Sequence, residues 1–185
     1  MIYILRHGQT DMNRKHVLQS RSDYPLNEEG VRQALAAGER LKGIPFRRVY
    51  SSPLRRAVQT AELAVPGVPL TTDERLIEMD YGPYEGMDLR APAPEFLTFF
   101  SDFARNPAPE GVEPLESVVR RAGSFMEEAE KEGDILVSTH AIAMKGILEY
   151  LMPESRGSWW SRNIGNCAVF VTEYRNGAFS SPQEF

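Results

Sequence analysis

Cysteine is almost absent. Cys167 is alone among 185 residues, so no internal disulfide can form, and the chain fits a reducing compartment. No run of about 18 apolar residues occurs, which excludes a membrane-spanning helix. The first residues, Met-Ile-Tyr-Ile-Leu-Arg-His, lack the basic start and long apolar stretch of a signal peptide, so a cytoplasmic protein is expected. There is no His-Glu-x-x-His, no cysteine pair and no Gly-x-x-x-x-Gly-Lys segment. Neither a bound metal nor a nucleotide phosphate loop is therefore expected. Six residues after Cys167 stands Glu173, not arginine, which excludes a cysteine phosphatase. Lysine is scarce, with 4 against 17 arginines, and the net charge is −5. That acidic balance argues against nucleic acid as a partner, while the arginine excess leaves room for guanidinium groups that grip an anion.

What is present suits one globular domain over residues 1–185. Hydrophobic residues make up 42% of the chain, too many for disorder. A chain of this length buries about 70% of its unfolded surface and needs no covalent staple. Residues 2–5 form an apolar run, read as a buried strand, that ends in Arg6-His7-Gly8. Asn27 then stands as a helix cap before Glu28 and Glu29, with Val31, Ala34, Leu35, Gly38 and Leu41 at helical spacing. A second strand is expected at 47–51. Ser52-Pro53 reads as the start of the next helix, which ends near Pro66-Gly67. A short strand follows at 68–71, then Leu76-Ile77-Glu78.

From 81 to 114 proline accumulates and the periodicity weakens, which suggests an insertion. Within it Phe96, Phe99, Phe100 and Phe103 share one helical face, better suited to core packing than to clamping a substrate. A helix is expected over 115–131, a buried strand over 135–139, a helix over 141–152 and a strand over 168–172. Asn176-Gly177 marks a hairpin turn into 178–180. Strands alternating with helices imply an α/β fold with a mainly parallel central sheet and helices on both faces, a three-layer sandwich.

Ligands of such sheets bind at the carboxyl ends of the strands. Three polar clusters fall there: Arg6-His7-Gly8, Ser51-Ser52-Pro53-Leu54-Arg55-Arg56, and Ser138-Thr139-His140. Structural need explains three such clusters poorly. An anionic ligand explains them, because guanidinium binds phosphate through paired hydrogen bonds and helix N-termini add backbone donors.

Those segments carry a resemblance. Leu-Arg-His-Gly-Gln-Thr with Asn13, Pro25-Leu26 with Gly30, Ser-Ser-Pro-Leu-x-Arg-Ala-x-Gln-Thr-Ala at 51–61, Leu-x-Glu at 76–78, Tyr81-Gly82, Glu85-Gly86 and Ser-Thr-His at 138–140 resemble, in order and spacing, the histidine phosphatase superfamily, also called phosphoglycerate-mutase-like. The resemblance runs from residue 2 to about 150. It implies a phosphoglycerate-mutase-like fold with His7 as the nucleophile that takes up a phosphoryl group. Arg6, Arg56 and His140 match its phosphate pocket, with Asn13, Gln19 and Ala141 as further substrate contacts. Glu78 matches its general acid, with Asp80 and Glu85 as nearby rivals. Arg55, about 100° around the helix from Arg56, is expected to face elsewhere. Ala141 and Ser20 stand where the family often has glycine. His16, beside Arg14 and Lys15, reads as a surface residue, with a part in shaping the pocket entrance as the alternative.

The implied activity is metal-independent hydrolysis of small phosphate esters through a phosphohistidine. No cofactor, nucleic acid or membrane is expected; the partner is a small phosphorylated metabolite, and the oligomeric state, monomer or homodimer, is open. The resemblance extends to broad-specificity phosphatases and to α-ribazole phosphatases. Mutase-type transfer is the alternative, since mutases shield the phosphohistidine from water, usually with larger insertions than the roughly 30 residues here. A phospholigand-binding protein with a dead site is a third reading. Trp159 and Trp160 either line the pocket or cover a sheet edge.

Overall fold

The computed structural model describes residues 1–103, 105–129 and 131–185. The central sheet contains β1 (Ile2–Arg6), β2 (Phe46–Ser51), β3 (Leu70–Thr72), β4 (Asp134–Thr139), β5 (Val169–Thr172) and β8 (Gln183–Glu184), in the order β3-β2-β4-β1-β5-β8. The first four run parallel; β5 is antiparallel to β1 and β8 to β5.

Alternation along each strand builds the layers. Ile2 and Ile4 of β1, with Ile135 and Val137 of β4, pack beneath α5 (Leu115–Glu128) and α6 (Ala141–Leu151). Tyr3 and Leu5, with Val49 and Leu136, pack beneath α2 (Glu28–Leu41) and α3 (Arg55–Ala64). The result is the expected three-layer α/β sandwich. A third cluster, around α4 (Pro94–Ser101), joins Phe96, Phe99, Tyr81 and Val112 to Leu115, Val118, Ile142 and Trp160. Phe96 and Phe99 are thus core residues, as expected, whereas Phe100 reaches the site described below.

Several local expectations need correction. The helix expected to begin at Ser52-Pro53 begins at Arg55; Leu54 occupies its cap position without a side-chain bond. Ser52 is engaged elsewhere, its Oγ lying 2.7 Å from His140 Nε2. On α2 the buried stripe is Gly30, Ala34, Ala37 and Leu41, while Val31 and Leu35 are exposed. Small residues win that face because α2 meets α3 closely: a Cβ on Gly38 would lie 2.7 Å from the Ala64 carbonyl. The Asn176-Gly177 turn joins β6 (Tyr174–Arg175) to β7 (Ala178–Phe179), but as a separate two-stranded ribbon. The polar β8 has no strand signature, and the one-turn helix α1 (Asp11–Arg14) owes its existence to a reciprocal cap between Thr10 and Asn13. Among the described residues no helix is long and apolar enough to cross a membrane.

Candidate active site

Parallel register brings the three polar clusters level. Arg6 pairs with Thr139 across β1 and β4, and Ser51 pairs with Ser138 across β2 and β4. The next residues, His7, Ser52 and His140, therefore leave neighbouring strands at one edge. Strands lie about 4.8 Å apart, and the His7 and His140 ring centroids are 5.1 Å apart. The loop after β1 is pressed against the start of α2. A Cβ on Gly8 would lie 2.5 Å from the Gly30 carbonyl, and one on Gly30 2.1 Å from the Gln9 carbonyl, so only glycine fits at either place.

A cavity of about 300 Å³ opens at this edge. Of the residues predicted from sequence, Arg6, His7, Asn13, Gln19, Glu78 and Ala141 line it. His140 and Arg56 do not; both are wholly buried just behind it.

His7 Nδ1 lies 2.7 Å from its neighbour's carbonyl, Gly8 O. A carbonyl can only accept, so Nδ1 carries the proton and Nε2 keeps its lone pair. Burial is the main force holding the His7 pKa well below its ordinary value, with Arg6 and Arg56 adding to it. In His140 the tautomer is reversed. Arg56 Nε donates to Nδ1 at 3.2 Å, which leaves Nε2–H to donate to Ser52 Oγ. Burial, then Arg56, keeps this ring neutral too.

Arg56 also donates through Nη1 to the Ser22 carbonyl (2.7 Å) and through Nη2 to the Ser20 carbonyl (2.6 Å). Burial lowers its pKa to about 10, so it remains charged at neutral pH. The 20–22 loop is in turn gripped by Glu85, which accepts from the Ser20 and Arg21 backbone N–H groups and the Ser22 hydroxyl. Arg6 Nη1 donates to the Ile164 carbonyl, and its buried Nε has no partner. Gln19 Oε1 accepts from Thr10 Oγ1 at 2.7 Å, which leaves Nε2 buried without a partner. Asn13 Oδ1 is taken by the Thr10 N–H.

Glu78 is the sole carboxylate among the cavity-lining residues. Its Oε1 accepts from Met79 N (2.8 Å) and Ala143 N (3.0 Å), and its Oε2 from Ile142 N (3.3 Å), at the start of α6. Arg121 fixes the segment before it by donating to the Arg75 and Ile77 carbonyls. The rival carboxylates are committed elsewhere, Asp80 to the Gly82 N–H and Glu85 to the 20–22 loop. Arg55 and His16 are exposed, as expected. Trp159 packs edge-on against Phe170 in the core, and the carbonyl of buried Trp160 accepts from Lys145 Nζ. Among the described residues no group of three or more His, Cys, Asp or Glu is placed to hold a metal ion.

Sequence reading missed Ser52 as the partner of His140, Ser20 as a stitch to the Met79 carbonyl, and Lys145 on the cavity wall. Lys145 had a signal: it is a lone cation in the otherwise apolar run Ile142–Leu148.

The buried imidazoles make stability depend on pH. The unfolded chain binds protons on His7 and His140 near pH 6.5, whereas the folded protein does so only well below that. Stability is therefore full above about pH 6.5 and falls as pH drops through that value, by at most about 1.4 kcal/mol per pH unit for each ring. Urea unfolding is expected to give a smaller free energy at about pH 5.5 than at about pH 7. An unchanged value would contradict a neutral pair.

The profile of the histidine phosphatase superfamily, branch 1, matches residues 2–182. A protein named "Putative phosphoserine phosphatase 2", from Hydrogenobacter thermophilus, is 33% identical over 178 residues, covering 91% of this chain and 86% of that protein. "Probable phosphoglycerate mutase GpmB" of Salmonella choleraesuis is 29% identical over 185 residues, covering 94% of this chain and 85% of that protein. A mycobacterial glucosyl-3-phosphoglycerate phosphatase solved with VO3 superposes with a TM-score of 0.83 at 25% identity, covering 100% of this chain and 97% of that one. With a phosphoglycerate-mutase-like fold and a profile match across nearly its whole length, the chain belongs to the histidine phosphatase superfamily.

Proposed function

We propose that this chain is a metal-independent phosphomonoesterase that hydrolyses small phosphate esters through a phosphohistidine on His7, of the broad-specificity or α-ribazole-phosphate type. The observation that carries this reading is the His7 tautomer. Its Nδ1–H is anchored on the Gly8 carbonyl, and its unprotonated Nε2 belongs to a ring lining the same cavity as Glu78 and Arg6.

The ester phosphoryl group enters beside His7. Arg6 and the partnerless Gln19 amide nitrogen supply donors and charge for its oxygens, with Asn13 and the Ala141 backbone as further contacts. Arg56 adds positive potential from behind and orients His140. Nε2 attacks phosphorus; the P–N bond forms as the P–O ester bond breaks, and Glu78 gives its proton to the leaving oxygen. Water then attacks phosphorus, Glu78 takes a proton from it, and the P–N bond breaks to release phosphate. Two guanidinium groups bring the positive charge that a metal supplies in other phosphatases.

Purified protein is expected to release phosphate from p-nitrophenyl phosphate with a chelator present. No release at any pH would defeat the hydrolase reading. Given 3-phosphoglycerate and a trace of the 2,3-bisphosphate, it is expected to form free phosphate. Accumulation of the 2-phospho isomer would instead favour the mutase reading that the GpmB likeness keeps in view.

A further inference from the structure

The cavity wall holds a cation for which the scheme above has no task. Lys145 is buried, at 8% exposure, and lines the cavity with Ala141, one turn earlier on α6. Residues four apart share a helix face about 6 Å along the axis, and long side chains lean back toward the helix N-terminus. Lys145 therefore shares with Ala141 one wall of the cavity that His7, Arg6 and Glu78 also line. Nζ donates one hydrogen bond, to the Trp160 carbonyl at 2.9 Å, and lies 6.0 Å from the centre of the Phe103 ring. Among the described residues no carboxylate forms an ion pair with it. An ammonium has three donors, so two remain.

Burying a charge without a counter-ion is costly. Burial draws the Lys145 pKa down to about 8, yet the group is still mainly charged at neutral pH. Glu78 attracts the ammonium through space, but its oxygens bond three backbone N–H groups and none of them bonds Nζ. Arg6 faces the phosphoryl group. A small anion arriving with the substrate is the partner the site lacks, and a cavity of about 300 Å³ bounded by Tyr81, Phe100 and Ile142 limits it to a compact one.

We propose that Lys145 is a specificity-determining residue that receives a carboxylate on the leaving group, so that the preferred substrates are small phosphomonoesters of carboxylate-bearing alcohols. This rests on the phosphomonoesterase reading above. Two matched pairs test it: 3-phosphoglycerate against glycerol 3-phosphate, and O-phosphoserine against O-phosphoethanolamine. The carboxylate member of each pair is expected to have a kcat/KM about 10- to 100-fold higher, the effect of one charged hydrogen bond. In Lys145→Met that ratio collapses toward unity, while Lys145→Arg retains most of it. A merely structural lysine would lower both members of a pair together and leave the ratio unchanged, and that result overturns the inference. So does a wild-type protein that hydrolyses p-nitrophenyl phosphate but does not discriminate within the pairs, which needs no variant to fold and leaves the phosphomonoesterase reading standing. No phosphate from any ester would overturn both.

Discussion

Replacing His7 with alanine is expected to abolish turnover, with a loss on the order of 10⁴-fold or more, as for removal of a covalent nucleophile elsewhere. The ring is singular in this cavity. His140 has its Nδ1 occupied by Arg56 and its Nε2 by Ser52, so its lone pair is already used. Cys167 is buried, with burial pushing its thiol pKa up to about 12, and thiolate is the reactive form. Neither can stand in. The Arg6 and Gln19 donors that the proposed scheme offers to phosphate are held by Ile164 and Thr10, not by the His7 ring. Inorganic phosphate is therefore expected to inhibit or bind the variant nearly as it does the wild type. An alkaline quench during turnover should trap one phosphoryl group on the wild-type chain, in an acid-labile P–N bond, and none on the variant. If the variant kept most of its activity, or if the wild type carried no phosphoryl group at any stage of turnover, His7 would not be the nucleophile.

Glu78→Gln is expected to lower kcat by about 10²–10⁴-fold on alkyl phosphates, the usual contribution of a positioned acid. KM should change little. Glutamine preserves the shape: its oxygen can keep the Met79 and Ala143 N–H bonds, while its amide takes the place of Oε2, whose single bond, to Ile142 N at 3.3 Å, is the longest of the three. The loss should shrink sharply for p-nitrophenyl phosphate, because nitrophenolate leaves without a proton. That contrast separates proton donation from structural support. An equal loss on both esters would mean that Glu78 only braces the start of α6.

How far the site was legible differs from residue to residue. His7 and His140 were placed at one edge because each follows a short apolar run, and strand ends can be read locally. Choosing Glu78 over Asp80 and Glu85 rested on a resemblance; only the folded chain shows the other two bound to the Gly82 N–H and the 20–22 loop. Ser52 illustrates a conflict between levels. Ser-Pro is a good helix start by local propensity, but the hydroxyl is drawn to His140, 88 residues away, and the helix begins at Arg55. Val31 and Leu35 fail similarly: apolar spacing placed Ala34 and Leu41 inward correctly, but closeness to α3 and to the loop after β1 gives the rest of the buried stripe to Gly30 and Ala37. The short polar strand β8 was invisible, since its pairing with β5 is a backbone event without a side-chain signature.

From its residues alone this chain declares a layered α/β architecture, the strand-end histidines and the arginines beside them in sequence, because periodicity and turn chemistry act between near neighbours. Three matters were settled only by tertiary packing: the level ends of β1, β2 and β4, the opposite tautomers of the two imidazoles, and the burial of Lys145 on the cavity wall. Each depends on hydrogen bonds and desolvation between segments far apart in sequence, and those forces exist only once the layers have closed.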